Sequence, residues 1–187
     1  MITYRLASPL KIILNYHSKK GRVFMFTLGI IIASDKGSRG ERVDESGKLI
    51  KEMMKNSGYD IKKYSIVPDE QRLLEEELIY MCDDLNLNLI LTSGGTGFSK
   101  RDVTPEATLN IIDRYAPGIA EAIRYNSLQI TPRAMLSRGV SGIRKDTLII
   151  NLPGSPKAVK ESLEFILPSL AHGLEVLKGI TSECARK

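Results

Sequence analysis

The apolar positions switch repeatedly between two periods, and the switches divide the chain into strands and helices. Residues 26–33 (FTLGIIIA) form a near-continuous apolar run, the mark of a strand buried on both faces. A polar, glycine-containing loop follows at 34–43. Asp44 can cap a helix carrying Leu49, Ile50, Met53 and Met54, which Gly58 stops. Residues 59–67 alternate in part, as a second strand does, and Pro68 closes it. Asp69 stands where a helix N-cap belongs. The helix to about residue 85 puts Leu74, Leu78, Met81 and Leu85 on one stripe, with Glu75, Glu76 and Glu77 largely outside it. Residues 87–91 predict a third strand, ending in the loop Thr92-Ser93-Gly94-Gly95-Thr96-Gly97. Thr104-Pro105-Glu106 supplies a capping hydroxyl, a first-turn proline and an acid, so a helix is expected from there to near residue 115. Further helices are expected over 119–128, briefly over 131–138, and over 157–178. Residues 147–152 (TLIINL) predict a fourth apolar strand, followed by Pro153-Gly154-Ser155-Pro156. Buried strands interleaved with helices predict an α/β fold, a three-layer α/β/α sandwich around a largely parallel sheet.

Charge changes this picture at one end only. The 187 residues hold 27 Lys+Arg and 22 Asp+Glu, a net charge of +5, and the pI is about 9.2. Residues 1–24 contain Arg5, Lys11, Lys19, Lys20 and Arg22 and no acid, so the other 22 basic residues balance all 22 acids. A nucleic-acid partner would need the basic surplus on a folded face, and the body has none. The segment reads as a basic extension: a tail, or residues ahead of a translation start at Met25, in preference to a transit peptide. No apolar run approaches the roughly 18–20 residues of a membrane span. Cys82 and Cys184 have no paired spacing, so a disulfide framework and a zinc site are both excluded. Cys82 falls on an apolar helical face, as core, and a reducing, cytoplasmic setting fits.

Chemistry is expected where loops leave the carboxyl ends of the strands. Four reach that edge: the one from Ser34-Asp35, the Pro68-Asp69-Glu70 turn, the Gly94–Asp102 loop, and the 152–156 turn. In GGTGFSKRD, closely spaced glycines let backbone N–H groups approach a phosphate or ring, and the following helix offers its positive end. It is neither a P-loop nor a dinucleotide fingerprint. A turn that simply needs positive φ explains the glycines equally well, although Lys100-Arg101-Asp102 beside them calls for a partner. Asp69 and Asp102 could converge on Mg²⁺, which takes one or two protein carboxylates plus substrate phosphates. Taken alone, Asp69 reads more simply as a helix cap and Asp35 as a loop-stabilising side chain. His172 reads as surface or core and His17 lies in the basic segment, so a histidine-based mechanism is not expected.

GGTGFSKRDVTPEAT (94–108) followed by INLPGSPKAVKESL (150–163) resembles the molybdenum-cofactor biosynthesis family, most closely its molybdopterin adenylyltransferases and the similar plant and gephyrin domains. The segments at 34–47, 66–70 and 128–149 fit the same pattern, and the resemblance runs from about residue 26 to 179. It implies a molybdopterin-binding domain over 25–180, with 1–24 outside it and 181–187 a tail. It further implies Mg²⁺-ATP-dependent transfer of AMP to the terminal phosphate of molybdopterin, a homotrimer, and hand-over of the product to a molybdate-inserting enzyme. Carried onto matching positions, the resemblance makes Asp69 and Asp102 catalytic and metal-binding. It places Ser34, Asp35, Gly94, Gly95, Thr96, Gly97, Arg101, Ser127, Ser137, Pro153, Gly154 and Ser155 in nucleotide or pterin binding.

The residues suit such chemistry. Joining two anions is a task of positioning and charge neutralisation, for which Lys100, Arg101 or Arg39 offers positive charge. The alternatives are a non-catalytic molybdopterin-binding or scaffold relative, which retention of both acids disfavours, and the related molybdate-insertion domain, which the chain length disfavours.

Overall fold

Three apolar runs and the partly alternating segment become the parallel heart of one sheet. They are β1 (Thr27–Ala33), β2 (Asp60–Val67), β3 (Leu89–Ser93) and β6 (Thr147–Leu152). β1 pairs in parallel with β2 and with β3, and β3 in parallel with β6. Two strands that the apolar pattern does not predict extend the sheet in antiparallel fashion, β5 (Ser141–Arg144) beside β6 and β4 (Arg114–Tyr115) beside β5. Both are short, β5 has one large apolar residue, and both side chains of β4 are exposed, so neither carries a periodic signal. The full order is β2-β1-β3-β6-β5-β4. The computed structural model describes residues 25–181. The expectations for segment 1–24, for Cys184 and for the tail beyond residue 181 lie outside the described residues.

The helices are α1 (Asp35–Ser38), α2 (Glu45–Asn56), α3 (Gln71–Ile79), α4 (Thr104–Ile111), α5 (Pro117–Leu128) and α6 (Pro156–Leu177). Successive residues of a strand face opposite sides, and β1 shows the result. Ile30 and Ile32 enter a core with Ile50 and Met54 of α2, Ile123 of α5 and Leu163 of α6. Ile31 enters the other core, with Leu74 and Leu78 of α3 and Ala107 of α4. Helices on both faces of a mostly parallel sheet make the expected three-layer sandwich.

Local departures have local causes. α4 stops at Ile111, short of the expected end near 115, because Arg114 and Tyr115 pair with Ile143 and Gly142 instead. α3 runs into a wider π turn, Tyr80–Asp84, which turns both Met81 and Cys82 inward. Cys82 is core as expected, and burial pushes its thiol up to about 12. The 131–138 segment holds only a 3₁₀ turn, Pro132–Leu136. Among the described residues no helix is long and apolar enough to cross a membrane.

From β1 the chain moves outward to β2, then returns across β1 to β3. The strand order therefore reverses between β1 and β3, and in such sheets a crevice opens there at the carboxyl ends.

Candidate active site

A cavity of about 690 Å³ occupies that crevice. All four loops expected at this edge line it. The end of β1 contributes Ala33 and Ser34, the β2 turn Asp69, the β3 loop Ser93, Gly94, Gly95 and Asp102, and the β6 turn Gly154 and Ser155. A fifth wall, Arg42 to Ser46, brings in the first turn of α2. The N-termini of α2 and α6 both meet the cavity. Asp44 caps α2 and stands with Glu45 on the wall, whereas α6 is capped by the neutral Ser155 hydroxyl, and its remaining first-turn N–H groups favour anions there.

The glycine loop is shaped by the protein before any ligand is considered. Gly94 has φ +99° and Gly95 φ +62°, the left-handed region that glycine tolerates. A Cβ on Gly94 would lie 2.4 Å from the Ala33 carbonyl oxygen, and one on Gly95 would lie 2.4 Å from Thr104 Oγ1. Thr104 is not the helix cap expected of it. It is the first residue of α4, fully buried, and its hydroxyl donates to the Gly94 carbonyl at 2.9 Å. The loop is thus pinned to the helix that follows. Ser93 Oγ donates to Pro153 O and Ser46 Oγ to Gly154 O, both at 2.8 Å, which fixes the opposite wall.

Asp69 is also released from the cap role. Glu70 occupies the N-cap of α3 and makes no side-chain cap bond. The Asp69 carboxylate instead accepts the Asp35 N–H through Oδ2 at 2.8 Å, and Asp35 Oδ1 accepts the Asp69 N–H at 3.1 Å. Arg101 then forks the Asp35 carboxylate, with Nε at 3.0 Å and Nη2 at 2.7 Å. Three loops are latched together beside the cavity. The Arg101 hydrogen bond holds the Asp35 carboxyl below its usual range, so Asp35 is a charged structural link, as its loop-stabilising reading expects. Asp69 moves the other way: burial, assisted by the nearby Asp35 and Asp102 charges, raises its carboxyl. A carboxylate paying that desolvation penalty on a cavity wall is a place where a cation is welcome.

Asp102 caps its own turn, accepting the Ser99 N–H through Oδ2 at 2.8 Å while its N–H donates to Ser99 O at 3.0 Å. On both Asp69 and Asp102, Oδ1 has no hydrogen-bond partner among the described residues. No group of three or more His, Cys, Asp or Glu among those residues is arranged to hold a metal. The donor set therefore fits a hard cation that completes its shell with phosphate oxygens and water, and does not fit a closed all-protein site.

Residues 29–172 match the family described as "Probable molybdopterin binding domain". The chain belongs to this family. Among its relatives, the molybdopterin adenylyltransferase of Helicobacter pylori strain J99 is 43% identical over 156 residues, covering 81% of this chain and 88% of that one. The molybdopterin adenylyltransferase of Escherichia coli K12 is 40% identical, covering 82% and 78%. The crystal structure of the molybdopterin biosynthesis enzyme MoaB of Thermus thermophilus superposes with a TM-score of 0.79 at 49% identity, covering 83% of this chain and 98% of that one.

Within this molybdopterin-binding fold, the residues singled out by sequence fall into three groups. Ser34, Asp69, Gly94, Gly95, Asp102, Gly154 and Ser155 line the cavity. Asp35, Arg101 and Pro153 support it from behind through the contacts above. Thr96 and Gly97 present their carbonyls to Arg138, Ser127 lies in the last turn of α5, and Ser137 ends the 3₁₀ turn, so these four stand off the cavity. Arg39 is spent on Glu41 and Arg101 on Asp35, whereas Arg42 lines the wall. The 42–46 wall escapes sequence reading because its residues look like an ordinary helix start. Arg138 escapes because its partners, two main-chain carbonyls and Glu106, lie 32 or more residues away.

Proposed function

We propose that this protein transfers AMP from ATP to the terminal phosphate of molybdopterin, releasing pyrophosphate, in molybdenum-cofactor biosynthesis. One observation carries the reading. Asp69 and Asp102 share a cavity with a glycine loop and two helix N-termini, in a chain 43% identical to an enzyme named for that reaction.

A phosphate oxygen of molybdopterin attacks the α-phosphorus of ATP as the bond to pyrophosphate breaks. Two anions must be aligned and their charge offset, and the chain needs no general base for either task. The N-terminal end of α6 and the hydroxyls of Ser34 and Ser155 receive phosphate oxygens. Gly94 and Gly95, having no side chain, let the main chain approach them. Asp69 and Asp102 would hold Mg²⁺, which when bound neutralises phosphate charge. Arg42 meets the remaining negative charge. Asp35 and Arg101 keep the Asp69 turn and the Asp102 loop in register. Ser127 and Ser137 lie off the cavity, so a pterin contact there requires the ring system to extend past Thr96 and Gly97. The same reading carries residues 25–180 acting as one unit, a cytoplasmic homotrimer, and delivery of the product to a molybdate-inserting enzyme.

The deciding experiment measures pyrophosphate release from Mg²⁺-ATP with and without molybdopterin. Release that requires both substrates is expected. Molybdopterin binding without release would leave a binding protein and sink the enzymatic reading.

A further inference from the structure

Arg138 does not line the cavity, yet its donors close on the loop that carries Asp102. Its backbone N–H donates to Thr96 O at 2.8 Å, and Nε donates to Gly97 O at 2.6 Å. Nη2 donates to the Asp102 carbonyl, and Nη1 pairs with Glu106 Oε1 in the first turn of α4. Irregular main chain needs partners for its carbonyls wherever water is excluded, and a rigid guanidinium fork serves several at once. The segment it grips follows two glycines with positive φ, which have little stiffness of their own.

Glu106 is the counterweight. Its second oxygen is shielded and has no hydrogen-bond partner among the described residues, so its contact with Arg138 is the one polar function visible for that carboxylate. Asp102 is held at its carboxylate and N–H by Ser99, and at its carbonyl by Arg138. Without the guanidinium, Thr104 still pins Gly94, but the Ser99–Asp102 turn loses its tie to Glu106 and its internal bonds open more often.

We propose that Arg138 is a positioning residue: by clamping the carbonyls of Gly97 and Asp102 onto Glu106 of α4, it fixes the direction in which the Asp102 carboxylate enters the cavity. The consequence for turnover rests on the adenylyl-transfer reading; the consequence for loop order does not.

The test pairs amide hydrogen exchange with steady-state kinetics on Arg138→Ala and Arg138→Lys in the full chain. In Arg138→Ala, exchange at the Ser99 and Asp102 amides should rise by ~10-fold or more, while amides in α6 stay unchanged. The kcat for AMP transfer should fall by about 10- to 100-fold, the usual scale for groups that orient a ligand-binding carboxylate, with the KM for ATP altered far less. A purely structural role would lower the melting midpoint and leave kcat per folded molecule untouched. Arg138→Lys should recover only part of both losses, because one ammonium cannot reproduce the fork. If Arg138→Ala fails to fold, Arg138→Lys carries the same comparison. Wild-type exchange in the loop, or faster exchange with wild-type kcat, would overturn the proposal. If the wild-type protein itself transfers no AMP, the exchange result still decides whether Arg138 orders the loop.

Discussion

The two edges of the sheet use the same polar side chains for opposite ends. At the amino edge, Arg144 forks Asp83 at 3.0 and 2.7 Å and gives a third bond to Ile111 O at 2.7 Å. Thr147 donates to Leu87 O at 2.6 Å, and the Thr27 and Asn88 main-chain N–H groups donate to each other's side chains. These groups satisfy one another, and the strands are stapled together. At the carboxyl edge, Arg101 forks Asp35 at the same 3.0 and 2.7 Å, but the set is incomplete. Asp69 and Asp102 each spend one oxygen on a backbone N–H and carry the other to a cavity wall. An arginine–aspartate pair is therefore no guide to function by itself. Function is visible in the carboxylate oxygens left over once the loops are tied.

The strongest way to break this contrast is to remove one leftover carboxylate. Asp102→Ala should lose AMP transfer by at least ~10²-fold, the scale of losing a main electrostatic stabiliser, while keeping its fold and molybdopterin binding. Asp102→Asn, which can still accept the Ser99 N–H, should lose nearly as much. Near-wild-type turnover of labelled ATP in either variant would return Asp102 to the category of a turn cap.

The amino edge should respond in the opposite sense. Arg144→Ala leaves Asp83, whose side chain is only 21% exposed, with Lys145 Nζ at 3.1 Å as its remaining ion-pair partner, and it orphans the Ile111 carbonyl. A cost of about 1–2 kcal/mol is expected, a melting midpoint lower by roughly 2–8 °C, with AMP transfer per folded molecule unchanged. Thermal unfolding and kinetics on one preparation read both numbers.

Asp69→Asn sharpens the comparison through pH. Burial raises the Asp69 carboxyl above its ordinary 3.8, so its charged form is penalised in the folded state alone. Above the raised value the wild type bears that penalty. As pH falls toward 3.8 the carboxyl protonates and the penalty disappears. Asp69→Asn should therefore be slightly more stable than wild type at neutral pH, with the gain shrinking under acid, and it should be severely impaired in transfer. A gain that persists unchanged below pH ~4 would mean that the Asp69 charge is not what the fold is paying for.

The smallest effect belongs to Tyr59, just before β2. Its ring is buried against Phe26, and its hydroxyl has no hydrogen-bond partner among the described residues. Tyr59→Phe should change stability by no more than about 1 kcal/mol, in the favourable direction, with activity unaffected. A clear loss of stability would mean the hydroxyl is satisfied after all.

Much of this architecture is legible in the residues because the relevant forces are local or periodic. The runs FTLGIIIA and TLIINL are apolar enough to require burial on both faces, and α2 begins at Asp44 as its capping geometry demands. The positive φ of Gly94 and Gly95 is likewise a local necessity. Asp69 and Thr104 mislead for the same reason: each is an excellent cap in isolation. In the folded chain their oxygens are captured by Asp35 and Gly94, 34 and 10 residues away, where a shared bond also closes the crevice. β4 and β5 are invisible locally because their stability comes from pairing, β5 with β6 and β4 with β5, and not from their own side chains.

The sequence alone, then, determined which segments must be buried, which turns need glycine and which acids end up in edge loops, since each follows from hydrophobicity, backbone sterics or spacing. Only the tertiary structure decided which carboxylate oxygens were consumed by neighbouring loops and which faced the cavity. That choice depends on contacts between residues dozens of positions apart, and no pattern along the chain encodes a distance across it.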